Sequence, residues 1–135
     1  MANIKFKLVQ HDRMPDISLS LTDEVTGLPI DLSDPATAVR MYLRTVGSKT
    51  LKETLLLPKL YGRVTAIDEE TGAQTIDAAA PYNVAGKGGR CAIQWSATSL
   101  DTAGNFEGEI EVTYPDGRKQ TWLDLLQFAV REDFA

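Results

Sequence analysis

Three glutamates, Glu107, Glu109 and Glu111, occupy alternate positions in the chain. On an extended strand they project from one face with neighbours about 7 Å apart, a spacing at which a hard cation such as calcium could bridge two of them. Calcium requires about six to eight oxygen ligands, and carboxylates on one straight strand cannot converge to that number without loops. Arg40 and Arg44 fall on the polar side of another alternating segment. A solvated or salt-bridged strand face is therefore expected, and no metal site. His11 and Asp12, taken with Ser18, Ser20 or Cys91, supply the residue types of a base, an acid and a nucleophile. No Gly-x-Ser-x-Gly turn accompanies them, and adjacent strand residues point to opposite faces; the expectation is no catalytic residue and no enzyme. Gly86-Lys87-Gly88-Gly89-Arg90 has the glycines and cations of an anion cradle, but no Gly-Lys-Ser/Thr ending and no helix pattern after it. It reads as a flexible turn feeding the next strand, and no cofactor is expected. Cys91 shares a strand side with Ile93 and Trp95 and reads as a small buried apolar group.

The elements that must position these groups are extended. In residues 106–114, Phe106, Gly108, Ile110, Val112 and Tyr114 alternate with the three glutamates and Thr113, the period of a half-buried strand. Tyr114-Pro115-Asp116-Gly117 follows with turn chemistry at each position, so residues 119–123 are the return strand of a hairpin, and 125–130 form a further strand. Ile17, Leu19 and Leu21 alternate with Asp16, Ser18 and Ser20, as Val39, Met41 and Leu43 do with Arg40, Tyr42 and Arg44. Residues 4–9, 64–68, 74–76 and 90–95 read as additional strands between glycine-containing breakers. Roughly eight or nine short strands point to an all-β fold, an antiparallel sandwich in preference to a closed barrel. The 45–62 region reads as an insertion across one sheet; within it residues 48–57 could form one short helix ended by Pro58.

The chain has 135 residues, enough for a single domain over 1–135 with its own core. A net charge of −5 and a pI near 4.8 are the wrong sign for a nucleic-acid partner. The longest aliphatic run, Leu55-Leu56-Leu57, is far short of the about 20 apolar residues of a membrane span. The first residues lack a secretory leader's apolar stretch, so synthesis in the cytoplasm is expected. A lone Cys91 makes no internal disulfide, and a lone His11 makes no zinc cluster. Trp95 and Trp122 read as core or inter-sheet anchors. The terminal strands 4–9 and 125–130 read as exposed edges open to augmentation, which makes Ile4, Phe6, Leu8, Phe128 and Val130 candidate interface residues; Trp122, if exposed beside Tyr82 or Phe134, is a further one. Removal of the first nine residues is expected to impair assembly without unfolding the domain. Tyr42, Tyr61, Tyr82 and Trp122 are the rings that could stack on a sugar, so a carbohydrate-binding module is the alternative of another class.

Two blocks of the chain carry a resemblance. The first runs through Gln10-His11-Asp12, Pro15, Ile17-Ser18-Leu19-Ser20-Leu21-Thr22-Asp23, Gly27-Leu28-Pro29-Ile30-Asp31-Leu32 and Ala38-Val39-Arg40-Met41-Tyr42-Leu43-Arg44. The second contains Trp95, Asp101-Thr102-Ala103-Gly104-Asn105-Phe106, Glu109-Ile110-Glu111-Val112-Thr113-Tyr114-Pro115-Asp116-Gly117 and Gln120-Thr121-Trp122. In order and spacing they resemble the N-terminal domain of the phage baseplate upper protein family, whose pattern carries Gly where this chain has His11 and Pro where it has Leu123. The resemblance implies an immunoglobulin-like β-sandwich used as a virion structural or adaptor protein in the tail tip or baseplate. It implies other phage virion proteins as partners, a homo-oligomer in the particle, and assembly in the bacterial host cytoplasm. Capsid decoration or a place at the head–neck junction is the alternative within that class.

Overall fold

The computed structural model describes residues 4–122 and 124–134, and every regular element among them is a strand. In chain order these are β1 (Ile4–Val9), β2 (Ile17–Ser20), β3 (Ala38–Thr45), β4 (Leu51–Leu56), β5 (Arg63–Ile67), β6 (Gln74–Asp77), β7 (Arg90–Ile93), β8 (Gly104–Thr113), β9 (Lys119–Thr121) and β10 (Leu126–Arg131). The larger sheet runs β1-β10-β8-β3-β4, with β9 on the far half of β8 beyond β10. Its β10-β8-β3-β4 run follows the G-F-C-C′ order of a variable-type immunoglobulin sandwich. The opposing layer pairs β2 with β7. The chain after β4 extends it: Ala92 N–H donates to Pro58 O at 3.0 Å and Leu60 N–H to Arg90 O at 2.9 Å.

The alternating segments become strands because one face of each can be buried. In β3 the side chains of Val39, Met41 and Leu43 face inward, and in β8 those of Phe106, Ile110 and Val112 do so, all at 4% exposure or less. They meet across an eight-residue antiparallel register from Ala38↔Thr113 to Thr45↔Phe106. Gly108 completes the inward row of β8, where an added Cβ would lie 2.7 Å from Met41 Sδ. Phe128 of β10 stacks on Phe6 at 5.6 Å and receives Trp95 edge-on at 5.2 Å, so the layers lock through aromatic geometry.

Two expectations about the architecture are corrected. The 48–57 segment is not helical: β4 pairs antiparallel with β3, from Arg40↔Leu56 to Arg44↔Leu51 across a bulge. Its leucines have no decisive helical period, and pairing places Leu55 and the following Leu57 in the core while Leu51 and Leu56 stay outside. The larger sheet is also not purely antiparallel, because β1 runs parallel to β10 from Ile4↔Leu126 to Val9↔Arg131. Only hairpin-connected neighbours must be antiparallel, and β1 leads across to β2 in the other layer, which leaves its direction free.

The predicted strands at 64–68, 74–76, 90–95 and 119–123 correspond to β5, β6, β7 and β9 with slightly different ends; Leu123 lies outside the described residues. The hairpin at residues 114–118 closes through Gly117 N–H to Tyr114 O at 2.9 Å and Tyr114 N–H to Arg118 O at 2.8 Å. A second loop chemistry occurs twice, in Asp23-Glu24-Val25-Thr26-Gly27 and Asp68-Glu69-Glu70-Thr71-Gly72. In each, the aspartate Oδ1 accepts backbone N–H groups two and three residues on, and the glycine N–H returns to the aspartate carbonyl at 2.8 Å. These are Asx-capped turns ended by a left-handed glycine.

The glycine run 86–89 is a packed turn, which corrects the expectation of a flexible one. Gly86, Gly88 and Gly89 are buried. Gly89 has φ +75°, and a Cβ there would lie 2.4 Å from Leu21 O, so strain and collision act together. Gly72 has φ +73° with open space around it. Replacement of Gly72 by Ala is expected to cost about 1 kcal/mol of unfolding free energy, and Gly89→Ala about 3 kcal/mol or more. Urea unfolding of the two variants checks the difference; equal costs would mean that backbone contact at Gly89 contributes nothing.

Candidate interaction surface

The polar side of the larger sheet sets two arginines and a tyrosine of β3 against the three glutamates of β8. Register sets Arg40 beside Glu111, Tyr42 beside Glu109 and Arg44 beside Glu107. Arg44 Nε donates to Glu107 Oε1 at 2.7 Å, the Tyr42 hydroxyl to Glu111 Oε1 at 2.9 Å, and Arg40 Nη1 to Thr113 Oγ1 at 3.3 Å. The Glu111 acceptor, with some burial, holds the Tyr42 hydroxyl above its usual pKa. Of the three glutamates, Glu107 is salt-bridged, Glu111 accepts from Tyr42, and Glu109 stands exposed to solvent, a partly bridged and partly solvated face. Among the described residues no cluster of three or more His, Cys, Asp or Glu could hold a metal ion, and no helix is long and apolar enough to cross a membrane.

One carboxylate was not singled out in the sequence. Glu53 of β4 stands opposite inward-facing Leu43; its Oε2 accepts the Ser99 hydroxyl at 2.7 Å and its Oε1 accepts that of Ser96. The Ser99 Oγ also accepts the Ser96 N–H at 2.8 Å. The cluster satisfies a fully buried serine and fixes the 96–101 loop against β4. The signal was Glu53 at the inward parity of a strand, readable only once the helix reading of 48–57 is given up.

Most of the candidate interface residues lie in the core. Leu8, Trp122, Phe128 and Val130 are all 8% exposed or less, and Phe6 is half-buried against Phe128. Ile4 belongs to β1, but its side chain lies outside the described residues. The inward row of a terminal strand is as apolar as any core row, so composition could not separate the two roles. The strand at 125–130 is not an edge either: β10 is flanked by β1 and β8. β1 is an edge strand, yet Leu8 and Phe6 tie it into the core, so removing the first nine residues would strip core packing as well as an edge. Of the four rings considered for sugar stacking, Trp122 is buried, Tyr42 is tied to Glu111, and Tyr82 is covered by the Arg63 guanidinium at 4.4 Å. Tyr61, 61% exposed, is the open one.

Two open surfaces among the described residues bear on docking. One is at the β1 end of the larger sheet, where β1, like β4 at the opposite end, is paired on one side only among the described residues. Beside it, on the outward face across β1, β10 and the start of β8, a shallow groove is lined by Lys5, Lys7, Val9, Asn105, Ala129 and Arg131 among others. The other is the hairpin of β5 and β6. Its base is pinned: Arg63 stacks on Tyr82, pairs with Asp77 at 3.4 Å, and follows Gly62, whose N–H donates to Tyr82 O at 2.8 Å. Beyond the base, every residue from Thr65 to Ile76 is exposed, including Ile67 and Ile76. The hairpin is an arm whose shaft and tip stand in solvent.

No protein-family model matches this chain, and no curated protein matches it in sequence.

Two outcomes follow from the local electrostatics. Cys91 is fully buried, and burial pushes its thiol up to about 12. It should resist an aromatic disulfide reagent in the native protein at neutral pH and react stoichiometrically in denaturant; rapid native labelling would contradict the packing. Asp23 and Asp68 are held below the usual aspartate value, first by the N–H groups of Thr26 and Thr71 and then by those of Val25 and Glu70. A folded value below the unfolded 3.8 contributes stability that is complete above 3.8 and disappears as pH falls through the folded values. The melting temperature should fall more steeply below about pH 4 for the native chain than for Asp23→Asn/Asp68→Asn, measured by circular dichroism.

Proposed function

We propose that the chain is a non-enzymatic structural adaptor of a phage particle, located in the tail tip or baseplate, that docks onto other virion proteins and works in several copies. The arm carries this reading. A hairpin with a rigid base and apolar side chains in solvent suits a contact with another molecule, because an unaccompanied two-stranded ribbon is at best marginally stable in water. A rigid sandwich presents such an arm and its open sheet edge at fixed positions, and in a symmetric assembly many modest contacts add by avidity.

The resemblance to the baseplate upper protein family supports the same reading at the level of individual residues. Its two sequence blocks are joined by direct contacts: His11 N–H donates to Leu100 O at 2.7 Å, Gln10 Nε2 to Asp101 O at 3.0 Å, and Trp95 Nε1 to Pro15 O at 3.1 Å. His11 adopts φ +71°, the left-handed conformation that glycine takes most readily, at the position where the family pattern has Gly.

Immunogold labelling of phage particles released by the bacterium that carries the gene tests the proposal. Label at the tail tip is expected. Label confined to the capsid or neck would overturn the location, and particles free of the chain by mass spectrometry would overturn the virion role.

A further inference from the structure

We propose that the β5–β6 arm of one copy docks into the groove along β1 and β10 of a second copy, so that the chain assembles head to tail. The inference rests on the reading of the chain as an assembly module and names one of its partners. Three observations favour a second copy as the occupant. The first is charge. The arm ends in Asp68-Glu69-Glu70, where Asp68 caps the turn while Glu69 and Glu70 make no ion pair among the described residues. The groove presents Lys5 and Lys7, both exposed and likewise without an ion pair among the described residues. Two unpaired anions on one surface and two unpaired cations on another, in a chain of net charge −5, form a local complementarity that overall charge does not supply.

The second observation is apolar. Ile67 and Ile76 of the arm are 60% and 38% exposed, and the groove offers Val9 and Ala129 between its cations. Docking removes both from water. The third is the backbone. β1, one of the two end strands of its sheet, borders the groove, and the arm is a separate two-stranded ribbon, so each has edge N–H and C=O groups that can pair where the arm runs on past the groove alongside β1. Arm and groove are different surfaces, so the contact is heterologous and propagates, closing into a ring or continuing as a filament according to the rotation between copies. Arg131 has a supporting place in the groove, since its guanidinium is already held 4.8 Å over Phe134 and donates to Glu132 O.

Charge reversal tests the assignment without touching the core. Light scattering across a concentration series at low salt should show the full chain forming a species of several copies that high salt dissociates. Glu69→Lys/Glu70→Lys and Lys5→Glu/Lys7→Glu should each stay monomeric, with affinity down by at least about ten-fold, and melt like the native chain. Mixed together, the two variants should assemble, because each arm then meets a groove of opposite charge. A native chain that is monomeric throughout, variants that assemble as well as the native chain, or a mixture that does not associate would each overturn the proposal. Its failure is separable from that of the adaptor reading. A monomeric chain found at the tail tip removes only the self-docking, and an assembling chain absent from particles removes only the virion role.

Discussion

Phe128 is the contact on which the rest of this fold depends. Its ring is met by Phe6 on one side and by the edge of Trp95 on another, so one side chain ties the first strand, the last strand and the opposing layer together. Gly108 makes the arrangement possible, since a Cβ there would lie 3.1 Å from the Phe128 ring and 2.7 Å from Met41 Sδ. The inward row of β8 thus contains a gap that two neighbours fill. That requirement also fixes register, because a one-residue slip of β8 would turn Phe106, Ile110 and Val112 outward and bring the glutamates in. With the register set, the polar face follows: Arg44 meets Glu107 and Tyr42 reaches Glu111 without any further choice.

What could be read from the sequence follows from the same physics. β3 and β8 are half-buried strands with one wet face, so their alternation is visible without knowledge of their partners. The 48–57 segment offered no such signal. Leu51, Leu55, Leu56 and Leu57 suit helix and strand about equally, and what decides between them is the exposed flank of β3, a long-range fact. The glycine run 86–89 misled in a related way. Glycine-rich composition suggests freedom, whereas here the missing Cβ atoms let Gly89 approach Leu21 O and Gly88 approach Gly62 O. The turn is buried because it is rich in glycine.

The proposed docking surface was the least legible part, and the reason is geometric. The expectation that terminal strands are edges holds for β1 but fails for β10, since sheet order does not follow chain order. The residues chosen on that basis, Leu8, Phe128 and Val130, are the inward members of their strands. The outward members Lys5, Lys7 and Val9 face the groove and looked unremarkable beside them. The arm was legible as two short strands but not as an arm. One pointer was present: the loop Asp68-Glu69-Glu70-Thr71-Gly72 repeats the chemistry of Asp23-Glu24-Val25-Thr26-Gly27, marking a second tight hairpin with its own closing turn.

The two copies of that turn differ in what surrounds them, and the difference bears on what the arm is for. The turn at 23–27 closes a short connection against the body, where Asp23, Val25 and Trp122 line a common recess. The turn at 68–72 closes a ribbon that has left the body, with both faces of its strands in water from Thr65 to Ile76. Ordering each residue of such a ribbon costs about 1–2 kcal/mol of backbone entropy, and no layer lies across it to offset that cost. The Asx cap, the β-branched residues Val64, Thr65, Ile67, Thr75 and Ile76, and the clamp of Arg63 between Tyr82 and Asp77 all reduce the loss without burying the shaft. Every local device in the segment therefore favours an extended hairpin, and none turns it back onto its own domain. Burial against another surface is the contribution that the isolated chain leaves unmade.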